Sequence, residues 1–186
     1  MLKIFKNDTL GVEEEIKRFE KEHKISLPEM YKKFLMKYNG GDTPRCSFKM
    51  NGVSSDISGF YGLRNVHESS ELSTLINLDF YLENGVVPIG SDSLGNSIVI
   101  GVRKEKCGKI YFYDHETGRF KHLADSFMVF IEKIKSEKFV VRSIEERARG
   151  VKEVDSNFEL DDDWINLWQE EIDYFSGRQQ EIVEIE

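Results

Sequence analysis

The chain has 186 residues, of which 39% are hydrophobic and 32% charged, and its formal net charge is −8. This composition predicts a compact domain with a buried core and argues against a disordered chain, and two cysteines are too few for a disulfide scaffold. No apolar run approaches the roughly 20 residues that cross a bilayer, and residues 1–8 lack the apolar core of a signal peptide. We therefore expect a cytoplasmic protein with reduced thiols.

The N-terminal part of the chain predicts two amphipathic helices with a short link. Val12, Ile16 and Phe19 recur at the spacing of one helical face, which predicts the first helix. Residues 26–29 have the Ser-x-x-Glu form of a capping box, and an apolar stripe follows until the helix-stopping sequence Asn-Gly-Gly at 39–41. Together these patterns predict a helical hairpin.

Strands and turns dominate the middle of the chain. Asn51 and Gly52 are typical of a two-residue hairpin turn, because both residue types tolerate a positive φ. Pro88 predicts an edge strand or a bend, since proline has no N–H for the ladder. A helix is expected over residues 71–83. The strand patterns lie at 47–50, 56–62, 86–90, 96–102 and 109–113.

Helical patterns return in the C-terminal part. Residues 124–134 predict a helix, residues 137–150 are compatible with another, and residues 151–157 are predicted to be a linker. A last amphipathic helix follows, with an apolar stripe that faces away from its acidic side chains. The stripe consists of Trp164, Trp168, Ile172 and Phe175. A helix this apolar on one face is expected to dock on its own domain or on a partner.

The acidity of the protein is concentrated at its C-terminus. Residues 151–186 include two basic and twelve acidic residues, a net charge of −10, whereas residues 1–150 carry +2. A nucleic-acid-binding protein normally presents a basic patch, so we expect no direct binding of nucleic acid. An acidic tail attracts basic partners, or it serves only to keep the chain soluble.

Side chains suited to catalysis or metal binding do not form a recognisable motif. Residues 114–116, Cys107 and His122 fit the polar end of a hairpin without any metal, and the cysteines lack a protease signature. Residues 90–96 match neither a phosphate-binding nor a hydrolase motif and are predicted to form a turn. We therefore expect no catalytic residue, no metal and no cofactor.

Four segments carry a family resemblance, and they follow the family's order. The segments are Leu27-Pro28-Glu29-Met30-Tyr31-Lys32-Lys33-Phe34-Leu35 with Asn39-Gly40-Gly41, Pro88-Ile89-Gly90-Ser91-Asp92-Ser93-Leu94-Gly95-Asn96, Gly108-Lys109-Ile110-Tyr111-Phe112-Tyr113-Asp114-His115-Glu116, and Ala124-Asp125-Ser126-Phe127-Met128-Val129-Phe130-Ile131. Over about residues 9–136 the chain resembles the SUKH superfamily, which contains fungal Smi/Knr-type cell-wall regulators and many bacterial immunity proteins.

The resemblance implies an α+β fold, in which the N-terminal helical hairpin and further helices pack on a curved, mainly antiparallel sheet. It implies a Smi/Knr-like domain at residues 1–136, which leaves residues 137–186 as a charged extension with an acidic, tryptophan-containing helix. It also implies a binding protein rather than an enzyme. Bacterial members are typically immunity proteins that neutralise toxins, and the family has no shared catalytic residues.

Our leading hypothesis is a cytoplasmic immunity protein that binds one cognate toxin protein, possibly a nuclease, without binding nucleic acid or membrane directly. The alternative is a non-catalytic regulatory or scaffold module. The acidic helix suits the basic cleft of a toxin that acts on nucleic acid. Its two tryptophans are candidate binding anchors, because tryptophan is enriched at binding hot spots. The alternative is that the tail docks on its own domain and that the tryptophans pack there. The domain itself offers a second contact surface. The candidate contact residues are Asp161, Asp162, Asp163, Trp164, Trp168, Glu170 and Glu171 in the helix, and Asp92, Asp114 and Glu116 in the domain.

Overall fold

The computed structural model describes residues 1–75 and 77–186. The helices are α1 (Val12–His23), α2 (Glu29–Tyr38), α3 (Leu78–Glu83), α4 (Phe127–Lys133), α5 (Ile144–Val154) and α6 (Asp162–Phe175). The strands are β1 (Lys3–Lys6), β2 (Gly41–Met50), β3 (Val53–Phe60), β4 (Val86–Ser91), β5 (Ser97–Gly101), β6 (Ile110–Asp114), β7 (Arg119–Ala124), β8 (Lys135–Ser136) and β9 (Glu181–Ile182). This is the α+β class that the sequence predicts. Among the described residues, no helix is both long and apolar enough to cross a bilayer.

The predicted N-terminal helices are present, and the apolar stripe of α1 is buried as its spacing requires. Helix α2 ends at Tyr38, and Asn39 follows as its C-cap residue in the left-handed conformation (φ 48°). The predicted capping box at 26–29 is wrong, because Pro28 occupies the N-cap position without a side-chain cap. The N–H of Leu27 donates instead to the Glu20 carboxylate of α1 (2.7 Å), which ties the two helices together.

The strands form a mainly antiparallel sheet in the order β7-β6-β5-β4-β3-β2-β1-β9, and β8 also pairs with β2. The expected hairpin turn joins β2 to β3, with φ values of 46° at Asn51 and 79° at Gly52. The side-chain amide of Asn51 donates to the carbonyl oxygens of His122 (3.4 Å) and Leu123 (3.2 Å) on β7. Because β7 and this turn belong to distant parts of the strand order, the contact shows that the sheet is strongly curved.

Pro88 lies in an interior strand. Of the two alternatives predicted for it, the edge strand is therefore wrong, and the local irregularity of the strand agrees with the bend. Strand β4 pairs with both β3 and β5, and its register with β5 shifts between Pro88 and Gly90. A bulge accommodates a residue that has no N–H to donate. A Cβ atom on Gly90 would lie 2.5 Å from the carbonyl oxygen of Gly59, so this close approach of two strands requires glycine.

The main core lies between the sheet and the helices α1, α2 and α4. Its centre is an aromatic cluster of Phe34 from α2, Phe60 from β3 and Phe127 from α4, with ring centroids 5.2 to 6.4 Å apart. All three side chains are almost fully buried. Aromatic rings at these separations add to the hydrophobic stabilisation from burial.

A smaller apolar cluster covers the opposite face of the sheet. On β5, Ile98 and Ile100 belong to the main core, whereas Val99 packs with Tyr81 of α3 and with Val86 of β4. Side chains on a strand alternate between faces, so β5 is buried on both sides. This explains why its sequence reads as a continuous apolar run.

The chain divides into two compact units. The first contains Met1–Glu137 and Gln180–Glu186, and the second contains Lys138–Gln179. Within the first unit β9 pairs with β1, and the Tyr38 hydroxyl accepts a hydrogen bond from the N–H of Glu184 (2.9 Å). The division predicted from the sequence, with a domain followed by an extension, stays a prediction; the final segment of that extension lies in the first unit.

Two other predictions differ from the observed elements, and four strands lack a prediction. Only parts of 71–83 are helical, because Leu72–Thr74 forms a 3-10 turn and α3 begins at Leu78, while Ile76 lies outside the described residues. Helix α5 runs to Val154, so the linker prediction is wrong in its first part. Strands β1, β7, β8 and β9 have no counterpart among the predicted strands.

Candidate functional site

Helix α6 begins at a cluster of three aspartates. Asp161 is the N-cap residue, and its carboxylate accepts a hydrogen bond from the N–H of Trp164 (2.9 Å). Asp162 and Asp163 occupy the first turn, where the helix dipole favours negative charge. All three aspartates are exposed. They therefore stabilise the start of the helix and also make its surface negative.

The two tryptophans of α6 have different surroundings. Trp168 is 8% exposed and its ring lies 6.1 Å from that of Phe158, which precedes the helix. Trp164 also contacts Phe158, at 5.8 Å, but is 42% exposed. Trp168 is therefore a packing residue, and Trp164 is the tryptophan that presents part of its ring to solvent.

The two candidate glutamates of α6 also differ. The Glu171 carboxylate accepts a hydrogen bond from the Arg147 guanidinium of α5 at 2.7 Å, which joins the two helices of the second unit. Glu170 is exposed on the surface of the helix. Because an ion pair already engages Glu171 within the unit, Glu170 is the better placed of the two for an external contact.

Leu167 and Tyr174 are exposed apolar side chains of α6 that the sequence analysis missed. They are 56% and 47% exposed, and the Arg178 guanidinium lies 4.4 Å from the centre of the Tyr174 ring. A spacing of seven residues places both on one helical face. That spacing is visible in the sequence, but the stronger tryptophan stripe on the other face obscured it.

Asp92 shapes the turn between β4 and β5. The residue is 4% exposed, and its carboxylate accepts hydrogen bonds from the N–H groups of Leu94 (3.0 Å) and Asn96 (2.8 Å) and from the Ser55 hydroxyl (2.7 Å). A buried carboxylate is tolerated only when donors satisfy it in this way. The surface of the turn is therefore formed by its neighbours, chiefly Leu94, which is 74% exposed.

Asp114 and Glu116 lie in the turn between β6 and β7. The N–H of Thr117 donates to the Asp114 carboxylate (3.0 Å), and this bond holds the pKa of Asp114 below its ordinary value of 3.8. Glu116 is exposed. The Asn96 side-chain oxygen accepts a hydrogen bond from the N–H of His115 (3.2 Å), so the structure brings the two candidate turns together at one end of the sheet.

The two histidines considered for catalysis or metal binding contact different partners. The His115 ring contacts Asn96 (3.0 Å), the His122 ring lies 3.2 Å from the Asp125 carboxylate, and Cys107 is exposed in the loop before β6. Among the described residues, no group of three His, Cys, Asp or Glu side chains is arranged to hold a metal ion.

A cleft of about 550 Å³ opens beside α3 and was not predicted from the sequence. Its lining includes Tyr61, His67, Tyr81 and Ser97. The hydroxyl groups of Tyr81 and Ser97 bond to each other at 2.8 Å, and His67 bonds to the Ser69 hydroxyl at the same distance. Each of these three polar side chains, Tyr81, Ser97 and His67, therefore already has a hydrogen-bond partner within the cleft.

Comparisons with known proteins match the same segments. The model of the SMI1 / KNR4 family (SUKH-1) matches residues 12–133, from the first residue of α1 to the last residue of α4. The SPbeta prophage-derived uncharacterized protein YokK of Bacillus subtilis (strain 168) is 28% identical over 188 residues, which cover 85% of this chain and 88% of that protein. No solved structure matches the chain. The family match thus includes both candidate turns and stops before α5 and α6.

Proposed function

Because the chain belongs to the SMI1 / KNR4 family (SUKH-1), we propose that it is an immunity protein that binds and neutralises a cognate bacterial toxin domain. The family match over residues 12–133 is the observation that carries this proposal. Bacterial members of the superfamily that the sequence resembles are typically immunity proteins. The relative in Bacillus subtilis is named as prophage-derived, which supports a bacterial setting.

In this proposal the protein acts by contact and performs no chemistry. It occupies a functional surface of the toxin in the cytoplasm of the cell that makes both proteins, and it needs no cofactor. A toxin that acts on nucleic acid has a basic cleft, and α6 has five acidic residues and no basic residue. Opposite charges raise the association rate and make it sensitive to salt.

The candidate contact residues of α6 divide into two roles. Asp162, Asp163, Trp164 and Glu170 are exposed and are proposed to touch the toxin. The others hold the helix in place, and they are Asp161 as the cap, Trp168 as a packing residue and Glu171 as the partner of Arg147.

The adjoining turns of the first unit are the second proposed contact surface. Glu116 is exposed there, and Asp114 carries a carboxylate that stays ionised to low pH because its pKa is lowered. Asp92 is buried beneath this surface, and its carboxylate stabilises the conformation of the turn by accepting hydrogen bonds from the N–H groups of Leu94 and Asn96. Toxin binding at this surface involves residues that lie within the family match.

Co-expression with the product of the adjacent gene tests the proposal. We expect the chain to restore growth to cells that express that product and to co-purify with it as a stable complex. A toxin from an unrelated system is the matched control and is not expected to be neutralised. Absence of both rescue and complex would reject the immunity function, and a neighbour without toxicity would favour the regulatory or scaffold alternative.

A further inference from the structure

Helix α6 has a second stripe of side chains on the face that points away from Trp168. Asp163, Leu167, Glu170 and Tyr174 recur at i, i+4, i+7 and i+11, which is the spacing of one helical face. At about 100° per residue, Trp168 lies about 130° around the helix from the mean direction of these four residues. The helix therefore has a buried side and an outward face, and we define the outward face by these four stripe residues.

The outward face is apolar at its centre and acidic along one side. Leu167 and Tyr174 are 56% and 47% exposed, and they stand seven residues apart on the helix. Asp163 and Glu170 are also exposed and also seven residues apart, each four residues before an apolar side chain. This repeated pair is typical of helices that lie in a groove, where apolar anchors enter the groove and charges meet its rim.

Helix stability does not account for the acidic residues in the second half of α6. Negative charge near the N-terminus is favourable, which explains Asp162 and Asp163. Asp173 lies in the last turn of α6, where the helix dipole disfavours a carboxylate and the helix itself has no basic residue, and it accepts a hydrogen bond from the Gln169 side-chain amide (2.8 Å). Arg147 compensates Glu171 from α5, but Glu170 remains on the outward face. Glu170 therefore supplies exposed negative charge to the outward face.

We infer that the outward face of α6 docks, as a helix, into an apolar groove with a cationic rim on the toxin protein. Leu167 and Tyr174 enter the groove, and Asp163 and Glu170 pair with lysine or arginine side chains on one rim. This inference rests on the proposed function and centres its contact on one helical face, with Asp162 and Trp164 on the two sides of that face. A second copy of this chain is a poor occupant, because two such helices would bring carboxylates against carboxylates.

A paired-variant binding experiment with the full chain tests this inference. The face variant carries Leu167→Ala and Glu170→Gln, and the control variant carries Val154→Ala and Glu153→Gln, which remove an exposed apolar group and an exposed charge from α5. The probe is the purified product of the adjacent gene, with its toxicity removed by inactivation. Affinity and association rate are measured at about 0.05 M and about 0.5 M salt. Tryptophan emission shows whether each variant still buries Trp168.

We expect the face variant to bind about tenfold or more weakly, with an association rate that depends less on salt, and the control variant to bind as the wild type does. A photo-crosslinking residue at position 167 is expected to capture the toxin, and one at position 154 is not. If the wild type binds and the face variant matches it, the inference is wrong while the proposed function stands. If the wild type neither binds nor rescues growth, the proposed function fails and this inference fails with it.

Discussion

The indole rings of Trp164 and Trp168 lie 5.5 Å apart, yet α6 buries one of them and leaves the other partly exposed. Trp168 is therefore expected to carry most of the packing energy of the pair. Trp168→Ala should lower the unfolding free energy of the second unit by about 3 kcal/mol, and Trp164→Ala by about 1 kcal/mol. Urea unfolding followed by far-ultraviolet circular dichroism measures both. Equal losses would show that the two rings share one environment.

Leu35 tests the assignment of α2 to the core. Its side chain is fully buried among the residues of the main core, as the apolar stripe of this helix predicts. Leu35→Ala should cost about 2–5 kcal/mol, because the cavity adds to the lost transfer energy. The neighbouring Met36 is 41% exposed, and Met36→Ala should cost less than about 0.5 kcal/mol. Chemical denaturation compares the two, and a near-zero effect of Leu35→Ala would contradict the core that we describe.

The buried hydroxyl of Tyr31 should lower the unfolding free energy of the protein at high pH. Burial, together with the nearby Tyr61, raises the pKa of the Tyr31 hydroxyl above its ordinary value of 10.0. Above that pH the unfolded chain releases this proton and the folded chain does not, so Tyr31 contributes stability below about pH 10 that is lost as pH rises. The slope contributed by this group is at most about 1.4 kcal/mol per pH unit.

Replacement of Tyr31 by phenylalanine isolates this effect. The hydroxyl finds no hydrogen-bond partner among the described residues, so Tyr31→Phe should leave the unfolding free energy at neutral pH unchanged or raise it by up to about 1 kcal/mol. Its stability should also fall less steeply than that of the wild type between about pH 9 and about pH 11. Tyr38→Phe is the control, because it removes a bonded hydroxyl and should cost about 1 kcal/mol. Parallel pH profiles for the Tyr31 variant and the wild type would contradict this account.

If the aspartates at the start of α6 contact the toxin, binding to the toxin should depend on the salt concentration. Asp161, Asp162 and Asp163 changed together to asparagine keep a residue that can cap the helix, so the helix should remain folded. The loss of three negative charges should weaken binding to the toxin mainly at low salt, through a slower association rate. Stopped-flow association at several salt concentrations measures this. Unchanged affinity and an unchanged salt slope would exclude the helix as the contact.

Local periodicity was sufficient to predict most helices and the central strands. The stripe of α6 and the turn at Asn51 follow from residues close together in the chain, and the structure has both. Strand β9 has no such pattern, because it is short and exists only through pairing with β1 at the other end of the chain. The edge-strand prediction for Pro88 was wrong because it also depends on pairing between strands. The register shift that accommodates Pro88 is set by its partner strand β5.

The sequence predicted which segment carries the acidic candidate residues, but it did not predict which of the candidate side chains are exposed. The sequence identified the acidic helix, and the structure exposes Asp162, Asp163 and Glu170. It could not separate Trp168 from Trp164, because both lie on the same predicted stripe and both rings contact Phe158, which lies outside the helix. Asp92 reads as a surface residue in a polar turn, and its burial involves a contact made by the side chain of Ser55 from another strand.

Titration of the toxin's activity against increasing amounts of this protein tests the central claim most directly. If the protein neutralises its partner by occupying a surface, activity should fall in proportion to the protein added and reach its minimum at a fixed molar ratio, independent of incubation time after mixing. Progressive inactivation of the toxin by a small fraction of an equivalent would contradict the claim, because it would require the protein to act catalytically.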